Sequence, residues 1–174
     1  RKDTPLVEAA LFGCAVMTGV GTVMNTCQVR PGQSVAVIGL GGVGLAALLG
    51  AVASGASRVL AIDINESKLT AARGMGATDT FLATDPDVVA KVREVTNGGV
   101  DHAVEMAGVG KAFELAYAIT RRGGTTATAG LPPADAKFSF GAVSLVAEER
   151  VIKGGYMGSC VPSRDIPRYI DMYM

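Results

Sequence analysis

Short apolar runs rich in β-branched residues alternate with longer apolar stretches of helical periodicity along most of the chain. The first pattern is typical of buried strands and the second of helices packed on a sheet. Strands are predicted at residues 35–38, 58–62, 80–82, 100–105, 125–129 and 150–156, with helices between them at 42–54, 66–73, 87–96 and 111–120. Because strand and helix alternate, right-handed crossovers would align the strands in parallel. The sequence therefore predicts an α/β fold with a six-stranded, doubly wound parallel sheet.

The segment before the first strand has a different pattern. Thr4 and Pro5 predict a helix start, with a capping hydroxyl before a proline in the first turn, and apolar residues recur at helical spacing as far as Val16. A second helix is predicted at 22–28. Three glycines predict breaks in this helical segment: Gly13, Gly19 and Gly21.

The chain divides into three predicted parts. Residues 1–28 form a helical linker segment, 29–158 the sheet domain, and 159–174 the start of a further helix. Since residues 163–174 begin a helix that ends without a cap, we expect this chain to be a piece of a larger protein.

Two stretches without charge, 9–29 and 34–57, resemble membrane spans in a hydropathy window. Glycines interrupt the second and polar residues dilute the first, and a buried strand followed by a buried helix gives the same profile. We therefore expect no membrane span.

Composition excludes several other classes. Hydrophobic residues make up 49% and charged residues 18%, as in a globular protein, and a net charge of zero without a basic cluster argues against nucleic acid as partner. The three cysteines form no CxxC pair, which argues against a disulfide framework or a zinc knot. A reducing, cytoplasmic setting is the simplest interpretation.

A glycine-rich loop follows the first predicted strand. Gly39-Leu40-Gly41-Gly42-Val43-Gly44 fits the G-x-G-x-x-G pattern, opens a helix, and precedes Asp63 at the end of the next strand. Gly39 would permit the tight turn, Gly41 the approach of a pyrophosphate, and Gly44 close packing of helix on sheet. The helix N-terminus would attract the phosphates, and Asp63 would accept hydrogen bonds from a ribose diol. This context predicts a Rossmann fold that binds a dinucleotide.

Two other interpretations of the loop exist. It could be a turn that only needs glycine, with Asp63 capping the next helix. It could also bind S-adenosylmethionine in a methyltransferase, but such enzymes usually carry an acid at the loop, where this chain has the apolar Val37, Ile38 and Leu40.

The surroundings of the loop resemble the medium-chain, zinc-dependent alcohol dehydrogenase family. The residues that carry the resemblance, in one order over nearly the whole chain, are Gly13-Cys14, Thr18-Gly19, Val29-Arg30-Pro31-Gly32, the glycine loop, Asp63-Ile64-Asn65 with Lys68, Asn97-Gly98-Gly99-Val100-Asp101, Gly130-Leu131-Pro132-Pro133 and Lys153-Gly154-Gly155. The family's catalytic domain, with two zinc ligands and the proton relay, is not in this sequence. The resemblance implies an NAD-binding domain that is inactive alone.

The resemblance also implies roles for single residues. Cys14 matches a ligand of the catalytic zinc, although from the residues alone a cysteine in an apolar helix is more often a small core residue. Thr18 and Val43 would line the nicotinamide, and Lys68 would reach the adenosine ribose unless it is a solvated charge. Met106, Ala107, Ala129, Gly130 and Leu131 follow the carboxyl ends of strands, where ligands bind in such sheets, and Gly155, Tyr156 and Met157 resemble the segment that meets the carboxamide.

The remaining polar candidates are interpreted as structural. These are Asp101, His102 and Glu105, with Cys27 and Cys160 as packing or surface thiols.

The intact enzyme would transfer hydride reversibly between NAD and an alcohol or aldehyde at a zinc-bound oxygen. Alternatives are polyol or threonine oxidation, a zinc-free reductase (against which Cys14 speaks), or a non-catalytic dinucleotide-binding module. Asp63 predicts NAD rather than NADP, because a 2′-phosphate would face its carboxylate. The strand at 150–156, between Arg150 and Tyr156, predicts a homodimer by edge pairing, as the family forms.

Overall fold

The computed structural model describes residues 5–174, so the predicted capping residue Thr4 lies outside the described part. Its centre is one sheet of six strands in the order β3-β2-β1-β4-β5-β6, parallel throughout. The strands are β1 (Ser34–Ile38), β2 (Arg58–Asp63), β3 (Asp79–Leu82), β4 (Val100–Glu105), β5 (Thr120–Thr128) and β6 (Val151–Gly154). This is the strand order of a Rossmann fold, which confirms the predicted class.

Helices cover both faces of the sheet. They are α1 (Leu6–Ala9), α2 (Met17–Gly21), α3 (Gly42–Ala53), α4 (Glu66–Gly74), α5 (Val88–Val95), α6 (Gly110–Ile119), α7 (Ala142–Ala147) and α8 (Pro162–Tyr173). Alternate residues of β1 serve the two layers. Val35 and Val37 pack in a cluster with α3 and α4, whereas Ala36 and Ile38 pack in a cluster with α5 and α6. Such two-sided burial explains why the strand sequence is apolar without alternation.

The predicted breaks in the amino-terminal segment are wrong. Helical structure runs through Val7–Thr26, with π-helical turns at Phe12–Val16 and Thr22–Thr26 on either side of α2. Two of the three glycines serve close packing instead. A Cβ on Gly19 would lie 2.2 Å from the carbonyl oxygen of Val43 in α3, and one on Gly21 would lie 2.4 Å from Cys160 Sγ. Gly13 has nothing within 4 Å of its Cβ position and simply continues the helix.

The Val7–Thr26 stretch is, by length and composition, apolar enough to cross a membrane. Met17 and Val23 are nevertheless buried inside the domain. Phe12, Val20, Ala46 and Tyr169 form a third apolar cluster that joins this stretch to α3 and α8. Core helices of folded domains have the same composition, so the burial explains the profile without a bilayer.

Three further elements differ from the prediction. β5 begins at Thr120 rather than at 125, because Thr120 pairs with Val100 before a shift of register. The short helix α7 was not predicted. β6 covers four residues rather than 150–156, and the backbone then turns into the 3-10 helix Tyr156–Ser159.

Candidate functional site

A cleft of about 650 Å³ opens at the carboxyl ends of the central strands. Seven of the predicted cofactor residues line it: Gly39, Leu40, Gly41, Asp63, Lys68, Met106 and Ala107. Sequence reasoning missed other lining residues, among them Ile64, Val109 and Lys111. Ile64 and Val109 are apolar side chains that are more than half exposed, so the cleft offers flat apolar contact beside its polar groups.

The three glycines of the motif have three different surroundings. Gly39 has φ +91° and faces Ala107, so a side chain there would be strained and would clash. A Cβ on Gly44 would lie 1.8 Å from the Gly39 carbonyl oxygen. Gly41 has an ordinary φ of −77° and nothing within 4 Å of its Cβ position. The fold therefore requires glycine at 39 and 44, whereas at 41 it only leaves open space.

Gly42 and Val43 begin α3, and their unbonded N–H groups belong to the helix terminus beside this space. That terminus is a place for an anion, because it combines free donors with the positive end of the helix dipole.

Asp63 ends β2 and is 5% exposed. Its Oδ2 accepts a hydrogen bond of 2.6 Å from the Leu40 N–H, and its Oδ1 accepts one of 3.0 Å from the Asn65 N–H. Lys68 Nζ lies 3.6 Å from Oδ2, so the two predicted ribose residues form an ion pair. Asp63 thus also holds the glycine loop in place, a role that the motif spacing does not reveal.

Two loops follow β4 and β5 and touch one another. A Cβ on Gly130 would lie 2.3 Å from the Gly108 N atom, so Ala129, Gly130 and Leu131 pack directly against the loop that carries Met106 and Ala107. Glu105, which the sequence marks only as structural, bonds to both loops.

The segment after β6 has a strained backbone. Met157, Gly158 and Ser159 have φ values of 48°, 65° and 52°, which only glycine adopts readily. Side chains from the amino-terminal segment hold it. Asn25 Nδ2 lies 3.4 Å from the Gly158 carbonyl, and Thr26 Oγ1 lies 2.8 Å from Ser159 Oγ.

Of the three residues predicted to meet the carboxamide, Gly155 is buried, and Tyr156 and Met157 are exposed. They do not line the 650 Å³ cleft.

The cysteines differ in their surroundings. Cys27 is packed in the core, and burial raises the pKa of its thiol to about 12. Cys160 is half-buried within hydrogen-bond distance of Asn25 and Tyr169, and burial raises its pKa. Cys14 is exposed. Within residues 5–174 no group of three His, Cys, Asp or Glu side chains is placed to hold a metal ion, so Cys14 offers one donor and this span alone does not make a zinc site.

Two other predicted residues have plain structural contacts. Thr18 is half-buried, and its carbonyl accepts a hydrogen bond of 2.7 Å from Thr22 Oγ1. His102 is buried inside β4 with Nε2 lying 3.1 Å from Gln33 Oε1, and burial lowers its pKa.

Comparison with known proteins decides the family. The sequence profile of zinc-binding dehydrogenases matches residues 42–173. The chain belongs to the zinc-binding dehydrogenase family. Alcohol dehydrogenase 1 of Pisum sativum is 36% identical over 177 residues, which cover all of this chain and 46% of the relative. Geraniol dehydrogenase of Castellaniella defragrans is 37% identical over 175 residues, covering 98% of this chain and 46% of the relative.

The solved structures agree with the sequence comparison. An alcohol dehydrogenase zinc-binding domain protein from Burkholderia ambifaria superposes with a TM-score of 0.96 at 35% identity, over 99% of this chain and 47% of that one. The chain spans about half the length of the curated relatives it matches. The recognised family and fold are therefore confirmed on independent grounds.

Proposed function

We propose that this chain binds NAD in the cleft at the carboxyl ends of β1, β2 and β4. The observation that carries the proposal is Gly41. It is exposed at the start of α3, has an ordinary backbone, and has open space where a side chain would lie. Neither conformation nor packing demands glycine there, so a ligand that approaches the backbone closely is the best reason for it. A pyrophosphate at the helix N-terminus fits that space.

Asp63 and Lys68 support NAD over NADP. The Asp63 carboxylate is fixed at the end of β2 by the Leu40 and Asn65 amides and would meet the adenosine ribose. Lys68 lies beside it and already forms an ion pair with it. A 2′-phosphate would therefore find a buried carboxylate whose neighbouring lysine is engaged.

The remaining roles rest on family membership. Cys14 would supply one thiolate to a zinc ion whose other donors lie outside this span. Such a zinc polarises an alcohol oxygen when it is bound. Thr18, Val43 and the 155–157 segment would face the nicotinamide. The substrate would be a small alcohol or aldehyde, the setting cytoplasmic, and this chain alone would not turn it over, because one donor does not hold a catalytic metal.

Gly41→Val tests the proposal by calorimetric titration with NADH. The branched side chain would fill the pyrophosphate space, so we expect binding to weaken by about tenfold or more, equivalent to about 1.4 kcal/mol, with an unchanged melting temperature. Gly74→Val is the matched control, because Gly74 also has nothing within 4 Å of its Cβ position and lies at the end of α4.

The control should bind NADH like the parent chain. A parent chain that binds neither NADH nor NADPH, or a Gly41→Val variant that binds as well as the parent, would refute the proposed cleft.

A further inference from the structure

Glu105 is the last residue of β4 and is 2% exposed. Its Oε1 accepts hydrogen bonds from the N–H groups of Ala107 at 2.7 Å and Gly108 at 2.6 Å. Its Oε2 accepts a third from Thr128 Oγ1, at 2.6 Å, across the strand pair. One side chain therefore holds the loop after β4 and the end of β5.

The backbone carbonyl of Glu105 adds hydrogen bonds to the loop after β5. The Glu105 carbonyl oxygen lies 3.1 Å from the Ala129 N and 3.3 Å from the Gly130 N, which both donate to it. The two loops contact each other at Gly108 and Gly130. A Cβ on Gly130 would lie 2.6 Å from the Gly108 Cα and 2.9 Å from Glu105 Oε2. Loops 106–109 and 129–131 are thus held as one unit, and only the first of them lines the cleft.

The charge of Glu105 is unlike that of the other buried acids. Asp63 and Asp165 each have a lysine or arginine within ion-pair distance. For Glu105, no ion pair is found within the described residues 5–174. Taking a carboxylate out of water costs free energy, which here is offset by short bonds from backbone and hydroxyl donors. An apolar residue would fill the same place without that desolvation cost. The hydrogen bonds that Glu105 accepts are therefore the reason for a carboxylate at this position.

We propose that Glu105 is a positioning residue for the cofactor. It would not touch the dinucleotide. Its side chain acts through the Ala107 and Gly108 amides and the Thr128 hydroxyl, holding Met106 and Ala107 as a preformed wall of the cleft. A wall ordered before binding spares the cofactor the cost of ordering it. This inference rests on the proposed function, since it assumes that the cleft binds NAD.

Glu105→Ala and Asp101→Ala form a matched pair. Both acids lie on β4, one at each end, and Asp101 accepts bonds from the Ser34 N–H and from Arg121, away from the cleft. We expect both variants to melt at a lower temperature. Only Glu105→Ala should weaken NADH binding, by about tenfold, as expected when a preformed wall must be ordered on binding.

Two milder variants separate positioning from general damage. In Glu105→Gln the amide oxygen still accepts from the loop N–H groups, and its NH₂ can donate to the Thr128 hydroxyl, so binding should return to within about threefold of the parent. Thr128→Val removes one of the three side-chain bonds and should lie between the parent and Glu105→Ala. If Glu105→Ala does not fold, Glu105→Gln and Thr128→Val still test the positioning role.

Amide hydrogen exchange of the free chain gives a readout that does not depend on cofactor. Glu105→Ala should speed exchange of the Ala107 and Gly108 amides, which lose their acceptor, whereas Asp101→Ala should not. The Ala129 and Gly130 amides donate to the backbone carbonyl of residue 105, which the substitution keeps, so they serve as an internal reference. Unchanged NADH binding in Glu105→Ala, equal weakening in Asp101→Ala, or no recovery in Glu105→Gln would overturn the positioning role. If the parent chain bound no dinucleotide, the proposed function would fail, and the exchange data would still decide whether the Glu105 side chain fixes loop 106–109.

Discussion

At the scale of single residues, the glycine loop and its acid do more than their spacing indicates. The motif predicts which positions are special, because each glycine has a distinct geometric task. It does not predict that Asp63 accepts the Leu40 N–H, or that Glu105 ties two loops. Both contacts join residues that are distant in sequence or depend on loop closure, and neither leaves a pattern that sequence periodicity can detect.

Asp63→Asn is expected to reduce the preference for NAD over NADP. The asparagine oxygen can still accept from the Leu40 N–H, so the glycine loop should stay in place, whereas the bond from the Asn65 N–H is lost. The negative charge is lost, Lys68 is released from its ion pair, and a 2′-phosphate then meets a lysine instead of a carboxylate. Like charges about 4 Å apart at a partly exposed site cost up to about 4 kcal/mol, so the preference should fall by at least about tenfold.

Calorimetric titration with both reduced cofactors measures this preference. Glu66→Gln is the control, since it removes an exposed acid at the start of α4, the helix that follows Asp63. A parent chain with equal affinities for the two cofactors, or an unchanged ratio in Asp63→Asn, would contradict the role of the Asp63 charge.

At the scale of elements, the alternation of strands and helices was predictable because each buried strand is a short apolar run ended by turn residues. The continuous amino-terminal helix was not predictable, since glycine has one effect on local helix propensity and another in a packed interface. Locally it lowers helix propensity. Between α2 and α3, Gly19 lets two backbones approach so closely that no Cβ fits, and the tertiary contact outweighs the propensity.

Gly19→Ala and Gly13→Ala test this contrast within one helical stretch. At Gly19 the added Cβ would lie 2.6 Å from the Ala47 N atom and 2.2 Å from the Val43 carbonyl oxygen, so α2 and α3 must separate. Overpacking of this kind costs about 1–3 kcal/mol, and here we expect the upper end. At Gly13 the methyl group meets nothing, and the better helix propensity should stabilise the fold by up to about 1 kcal/mol. Urea denaturation measures both, and a Gly19→Ala chain as stable as Gly13→Ala would contradict the packing role.

At the scale of the whole molecule, the parallel direction of the six strands followed from the sequence, because crossovers between alternating strands and helices are right-handed. The predicted dimer requires the last strand to lie at the edge of the sheet, and β6 does lie there. What could not be predicted is how the charges near β6 are used. Lys153 donates to the Thr26 carbonyl oxygen, and the buried Arg150 donates to the Tyr117 carbonyl oxygen and forms an ion pair with Glu148. Both charged side chains bond within the domain and are therefore not placed to block pairing at the open edge of β6.

Because neither of these charges blocks the open edge of β6, we predict a homodimer that forms through this strand. The strand has an open side, and a two-fold axis would pair it antiparallel with its copy, joining two sheets. Val151 of the strand itself is exposed, and so are Val143 and Val146 of the preceding helix α7, at 79% each. Pairing would therefore satisfy backbone groups and cover apolar surface together. We expect light scattering to give the mass of a dimer for the parent chain.

Ile152→Pro is the variant that decides whether β6 forms the interface. The Gly155 N–H faces β5, where it donates to the Thr128 carbonyl oxygen. Because N–H groups alternate along a strand, the Lys153 N–H faces β5 as well, and the Ile152 N–H faces the open edge. Proline at 152 therefore removes an outward donor and spares the internal ladder, as edge strands tolerate. The variant should be a monomer that melts near the parent temperature, with Ile152→Val remaining dimeric as the control. A monomeric parent chain would contradict the edge interface. So would a dimer that the proline does not disrupt, since apolar association around the exposed Leu11 would then be holding the chains together.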